Sequence, residues 1–339
     1  MKHRGGTLGS WFGRGAAAVA IVAAWSSSLL AADPQATPET PTQSLAQRIE
    51  PLIKAHKGKV AVVVKNLKTG ESYAYHADDV MPTASLIKFP VMIEAYRQAA
   101  AGQVDLDSMI TLREQDKVPG SGILTDHFTA GATFSLRDAI RLMIRYSDNT
   151  ATNLVLDAIG MSATAETMAK LGCPDTKIHS KVYRRSTSVF PERSKLYGLG
   201  STTAAQMVRL CEDLNAGRLI DPKTSAVMYK HLTTCDDVHK FPRFLPEGTK
   251  LAFKTGSVDA SRTAAGIIEC SSGPVALCVL TSDNEDQSWT TDNAGDLLCA
   301  KIAREVFDHF QKQPKAQGPA STADAKPSAP QPASTVGAK

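Results

Sequence analysis

The hydrophobic period of this chain changes twice along its length, and that change limits the folds open to it. Residues 60–66 are rich in valine and residues 71–75 follow the turn Lys68-Thr69-Gly70, which predicts a β-hairpin. Apolar residues then recur at helical spacing over 84–101, 136–146, 150–159, 164–171 and 202–216. Strand character returns over 250–255, 263–270 and 275–281, and 293–310 closes as a helix. Strands at both ends with helices between them predict an α+β fold, in which an antiparallel sheet assembled from remote segments carries an inserted helical lobe.

The two ends of the chain differ from this body. Lys2, His3, Arg4 and Arg14 precede the apolar run 16–25, and small residues follow to Ala31-Ala32, so residues 1–32 read as an export signal. The apolar run is about ten residues, short of the roughly twenty that span a bilayer, so no stable membrane span is expected. The protein is therefore expected in the periplasm or secreted. Residues 33–44 read as a flexible linker and 313–339 as a disordered Pro/Ala/Ser-rich tail, because neither can bury enough apolar surface to fold. That leaves 45–312 as one folded domain.

The net charge of +4 is too mild to argue for nucleic acid. No Cys-x-x-Cys, His-Glu-x-x-His or His-x-His occurs, so neither a metal nor another cofactor is expected, and the chain is expected to be a monomer. Six cysteines in an exported chain permit disulfides, with Cys211–Cys235 the pairing expected among the fifteen complete sets.

Three short polar motifs stand in the body: Ser85-Leu86-Ile87-Lys88, Ser147-Asp148-Asn149 and Lys254-Thr255-Gly256. A free hydroxyl is a poor nucleophile, so attack on an amide needs a serine whose proton is removed as the bond forms. Ser85 and Lys88 are three apart, which on a helix sets the amine beside the hydroxyl. Burial among Leu86, Ile87, Phe89 and Val91 would lower the pKa of that amine and let it act as a base. Ser282-Asp283-Asn284 repeats the middle motif, but it follows the apolar run 275–280 and reads as a strand-to-loop turn.

The order, spacing and flanks of the three motifs resemble the class A β-lactamases and related penicillin-recognising serine enzymes, over roughly residues 45–311. The resemblance implies a five-stranded antiparallel sheet flanked by terminal helices, with the site in the cleft between sheet and helical lobe. It implies that Ser85 is the nucleophile and Lys88 its base, and that Ser147 protonates the leaving nitrogen beside Lys254. Asn149 would bind the acylamide arm of the substrate, and Asp148 would brace its loop. Lys254 and Thr255 would hold the substrate carboxylate, Gly256 would allow close approach, and the backbone N–H groups of Ser85 and Ser257 would form the oxyanion hole.

The chain departs from the family pattern twice. The family releases its acyl-enzyme with a glutamate in a Glu-x-x-Leu-Asn segment, and counting 36 residues on from Ser147 reaches Tyr183. The one carboxylate over 181–200 is Glu192, which is either the missing base or an exposed residue paired with neighbouring cations. Asn153, which matches the asparagine that orients that base, is retained. The family's arginine before the glycine of the next strand is replaced by Ala265, leaving Arg262 as either a substitute or a surface residue of its loop. The expected activity is opening of a β-lactam amide through an acyl-serine. A D-alanyl-D-alanine carboxypeptidase or other cell-wall peptide amidase, and a sensor acylated once, share the same motifs.

Overall fold

A computed structural model describes residues 43–312, so the expected export signal, the tail 313–339 and all but Gln43 and Ser44 of the expected linker lie outside the described residues. Ser44 belongs to the first helix rather than to a linker. Its hydroxyl accepts from Gln47 N while the Gln47 side chain accepts from Ser44 N, a reciprocal cap on α1 (Leu45–Ala55). Among the described residues no helix is long and apolar enough to cross a membrane.

In chain order, α1 is followed by β1 (Lys59–Asn66), β2 (Ser72–Tyr75), β3 (Met81–Pro82) and α2 (Lys88–Ala100). Then come β4 (Met109–Thr111), α3 (Leu124–His127), β5 (Thr133–Ser135), α4 (Leu136–Arg145), α5 (Asn149–Ile159) and α6 (Ala163–Lys170). β6 (Lys177–Ile178), α7 (Pro191–Tyr197), β7 (Gly200–Thr202), α8 (Ala204–Asn215) and α9 (Pro222–Leu232) complete the middle of the chain. The C-terminal third is β8 (Leu251–Val258), β9 (Ser261–Cys270), β10 (Gly273–Ser282) and α10 (Ala294–Lys312).

The main sheet has the order β2-β1-β10-β9-β8, with each neighbouring pair antiparallel. The expected five-stranded α+β architecture is therefore observed. β1 pairs with β10 across the whole chain length, Val62 opposite Val279. Side chains alternate between faces of a strand. Val60, Val62 and Val64 accordingly join α1 and α10 in one core, while Ala61 and Val63 join the helical lobe in another. Both faces of β1 are covered, which is why its sequence reads as a valine run rather than as alternation.

All six cysteines are unbonded, which corrects the expected Cys211–Cys235 pair. Cys211 on α8 is buried in the core between lobe and sheet, near Cys278 of β10. Cys235 follows α9, packs against the other core and neighbours Lys254. The two thiols pack against different cores. Alkylation of the denatured, unreduced chain is expected to modify six thiols; modification of only four would restore a disulfide.

Candidate active site

The nucleophile segment begins as a turn of 3₁₀ helix, Ala84–Ile87, which α2 continues from Lys88. Ala84 enters it with φ of 45°, a strained value for a residue with a Cβ. Ser85 is half-buried and Lys88 is wholly buried, so the serine reaches the cleft while the amine lies beneath it. β8 runs directly alongside. A Cβ on Gly256 would lie 2.7 Å from Ser85 N and closer still to the carbonyl oxygen of Thr83. Gly256 therefore admits the nucleophile segment close to the strand.

Ser147 lies between α4 and α5 with φ of 53°, a second strained residue at the site. Asp148 holds that bend. Its carboxylate accepts from Ala151 N at 2.8 Å as the cap of α5, and from Ile123 N and Leu124 N at 2.7 and 2.9 Å, which is the bracing role expected of it.

Two ammonium groups converge on the Ser147 hydroxyl. Lys88 Nζ is 3.2 Å and Lys254 Nζ 3.1 Å from Ser147 Oγ. Lys88 also donates to Ser147 O at 2.6 Å and to Asn149 Oδ1 at 2.8 Å, and Lys254 donates to Thr255 O at 2.9 Å. Burial drives the Lys88 pKa well below the ordinary lysine value, and the charge of Lys254 lowers it further, against a smaller opposing pull from Asp148. Burial also lowers Lys254, opposed by Cys235 and Asp237. A neutral lysine beside a hydroxyl network is a competent proton acceptor.

Ser85, Ser147, Lys254, Thr255, Gly256 and Ser257 line one cavity of about 260 Å³. Arg145, Tyr146, Asp236, Asp237, His239 and Trp289 also face it, none of which the motifs identified. Asn149 is buried next to Ser147 but does not line the cavity; its Nδ2 donates to Pro119 O while Oδ1 takes the Lys88 bond.

Lys240, which the sequence reading missed, contacts a residue of the cavity. It is buried, donates to Ser257 Oγ at 2.9 Å, and pairs with Asp237 and Asp296 at 3.0 and 3.1 Å. Burial alone would lower its pKa, but the two carboxylates raise it. Burial would likewise raise Asp237, yet Lys240 holds it down to about 2, and Thr255 adds a hydrogen bond. Lys240 thus donates to the Ser257 oxygen and leaves the hydroxyl proton of Ser257 available to an anion. The i,i+3 pair Asp237–Lys240 was its only signal in the sequence.

Two expected site residues lie elsewhere. Glu192, on α7, is 80% exposed at its side chain and pairs with Lys195 at 2.8 Å, so of its two readings the solvent-facing ion pair holds. The expected carboxylate-binding role of Arg262 is also corrected, and so is the surface alternative. Arg262 is 1% exposed, its two Nη groups donate to the carbonyls of Val258, Asp259, Ser261 and Ser288, and its Nε lies 3.6 Å from an Asp296 carboxylate oxygen. Asn153 clamps Val182 in both directions, accepting from its N–H at 2.8 Å and donating to its carbonyl at 3.1 Å. The residue presented next is Tyr183, at φ of 57°, whose hydroxyl and the Asn149 amide nitrogen both lie within about 3 Å of where a Cβ on Gly120 would stand. Ser282-Asp283-Asn284 ends β10, with Asp283 paired to Lys59 and Asn284 hydrogen-bonded to Thr281 and His56, as a strand-to-loop turn.

A serine at the start of a helix, a lysine one turn beneath it, a second serine between two lysines and a strand edge alongside define a serine acyl-transfer enzyme. The model of the β-lactamase enzyme family matches residues 44–310, and the chain belongs to that family. A β-lactamase of Streptomyces cellulosae is 29% identical over 287 residues, covering 82% of this chain and 88% of the relative. The crystal structure of a β-lactamase from Sphaerobacter thermophilus superposes with a TM-score of 0.70 at 29% identity, over 80% of this chain and 98% of that one. A point mutant of PBP-A, solved as an acyl-enzyme complex with penicillin G, shares the fold with a TM-score of 0.69 at 23% identity, over 82% of this chain and all of that one.

Asp148→Ala would strip three backbone N–H groups of their acceptor. Such a loss is expected to destabilise the domain by about 3 kcal/mol and to lower Tm by about 8 °C. Calorimetry or thermal circular dichroism checks this, and a variant that melts with the parent would remove Asp148 as the brace.

Proposed function

We propose that the protein opens β-lactam rings through an acyl-enzyme on Ser85. The convergence of two buried lysines on Ser147 Oγ, in the cavity that also holds Ser85, carries this reading. Ser85 Oγ attacks the lactam carbonyl as its proton passes to the neutral amine of Lys88. Negative charge on the carbonyl oxygen is met by the backbone N–H groups of Ser85 and Ser257. The ring C–N bond then breaks, and Ser147 gives its proton to the leaving nitrogen. Lys254 lowers the cost of that transfer, and Lys88 can return the Ser85 proton through the same oxygen. Thr255 and the Ser257 hydroxyl, backed by Lys240, receive the substrate carboxylate. The second amide hydrogen of Asn149 meets the acylamide arm. The enzyme acts as a monomer and is exported, and the basic, apolar and small residues of 1–32 support the export.

Release of the acyl group needs a water and a base. Glu192 faces solvent and the residue beside Asn149 is Tyr183, so among the described residues no carboxylate of 181–200 lines the cavity. That observation supports slow release from the lactam. It also favours, as the second reading, a peptidase that uses the same acylation steps on cell-wall peptides.

Mixing the purified protein with a chromogenic cephalosporin, and following both colour and mass, tests the proposal. An adduct on the Ser85 peptide, absent from Ser85→Ala, is expected to form in a burst followed by slower turnover. An adduct on Ser147, or one that survives Ser85→Ala, would contradict it.

The pH dependence of acylation follows from Lys88. The reactive form is the neutral amine, so the rate should fall as pH drops through its depressed pKa and level off above it. Lys88→Arg cannot shed its proton and should acylate about a thousandfold more slowly at every pH. Single-turnover rates across pH check this; an unchanged rate in Lys88→Arg would assign the base to another group.

A further inference from the structure

We propose that Trp289 is a specificity-determining platform, which stacks on a planar aromatic substituent carried on the leaving-group side of the lactam. This rests on the β-lactam reading above. Trp289 lines the same cavity as Ser85 and Ser257, yet it is 67% exposed. An indole left that open has a face available to a ligand.

The ring is held in place from behind. Its Nε1 donates to Asp259 Oδ1 at 2.8 Å, and the Arg262 guanidinium lies 4.8 Å from the ring centroid. Arg262 is itself fixed by Ser288 O at 2.7 Å and by the carbonyls of the 258–261 turn. The start of α10 makes room for it, since a Cβ on Gly295 would lie 2.8 Å from Arg262 Cγ. Arg262 therefore acts through the indole and touches no substrate. A side chain already ordered in this way loses little entropy when a ligand stacks on it.

The register of the strands decides which part of the substrate meets it. Arg262 sits directly across from Ser257 on neighbouring strands, so Trp289 stands at the Ser257 end of the cavity. Asn149, which meets the acylamide arm, stands at the Ser147 end. With the carbonyl oxygen between the two N–H groups and the carboxylate at Thr255 and Ser257, a substituent next to the carboxylate extends past Ser257 toward the indole.

The test compares two substrates in Trp289→Ala: a chromogenic cephalosporin with a dinitrostyryl group beside its carboxylate, and penicillin G, which has only methyl groups there. The ratio of their acylation kcat/KM values is expected to fall about tenfold toward the penicillin, the scale of a lost aromatic stack. Trp289→Phe, which keeps a ring but not the Asp259 bond, should retain most of the ratio. Trp289 is the only tryptophan after Trp25. In a Trp11→Phe, Trp25→Phe background its fluorescence should therefore be quenched by the cephalosporin and not by penicillin G. Equal losses on both substrates, or equal quenching by both, would overturn the assignment. A parent protein that forms no adduct with either lactam would instead sink the β-lactam reading, and the platform with it.

Discussion

Two ammonium groups buried on either side of one hydroxyl oxygen set the terms for everything around them. Neither Lys88 nor Lys254 has a carboxylate in direct contact among the described residues; their partners are Ser147, Asn149 and the carbonyl oxygens of Ser147 and Thr255. Neutral oxygens compensate a buried charge poorly, and two like charges around one atom compensate each other not at all. The lowest-cost resolution is for one amine to give up its proton. Lys88, lowered by both burial and the charge of Lys254, is that amine. A group forced neutral by its surroundings can accept a proton from Ser85 with little driving force spent, and Ser147 connects it to the second cation.

The fold exists, in this sense, to bring three remote chain segments to that oxygen. The β8 strand carries Lys254 and is locked by pairing through β9 and β10 to β1, so its position is set by a sheet drawn from both ends of the chain. The helical lobe supplies the other two segments, one at the start of α2 and one between α4 and α5. Strain at Ala84 and Ser147 is tolerated because neighbours fix both bends, Gly256 against the first and Asp148 against the second. Behind β8 a different arrangement holds: Lys240 is also buried, but Asp237 and Asp296 keep it charged. Buried lysines thus take opposite states, Lys88 pushed toward neutrality by burial and a neighbouring cation and Lys240 held charged by two carboxylates.

Much of this was legible from residues alone. The change of hydrophobic period gave the five strands of the main sheet, six of the helices and the inserted lobe, because each of those segments is long enough to bury a consistent face, whereas the two- and three-residue strands β3 to β7 are too short to show one. Helices α1, α3, α7 and α9 were not read from the period; α3 and α7 are short, and at α7 and α9 only Pro191 and the Asp221-Pro222 cap mark the starts. The motif serines and lysines were found because their chemistry requires fixed types at fixed spacing. Lys240 and Trp289 were not, since both come from irregular segments whose approach to the site is set by α9 and α10 rather than by local sequence. Glu192 and Arg262 mark the converse limit. Residue type made each a candidate, and only the direction of the side chain, outward to Lys195 in one case and inward to loop carbonyls in the other, decided between their readings.

The protonation state of Lys88 tests the account most directly. Lysine-labelled protein, with Lys88→Arg used to assign its signal, can be titrated by NMR at the ε position in the absence of substrate. The account predicts an apparent pKa well below the ordinary lysine value of 10.5, matching the acid limb of acylation. A Lys88 that titrates near 10.5 while Ser85 still acylates would contradict it.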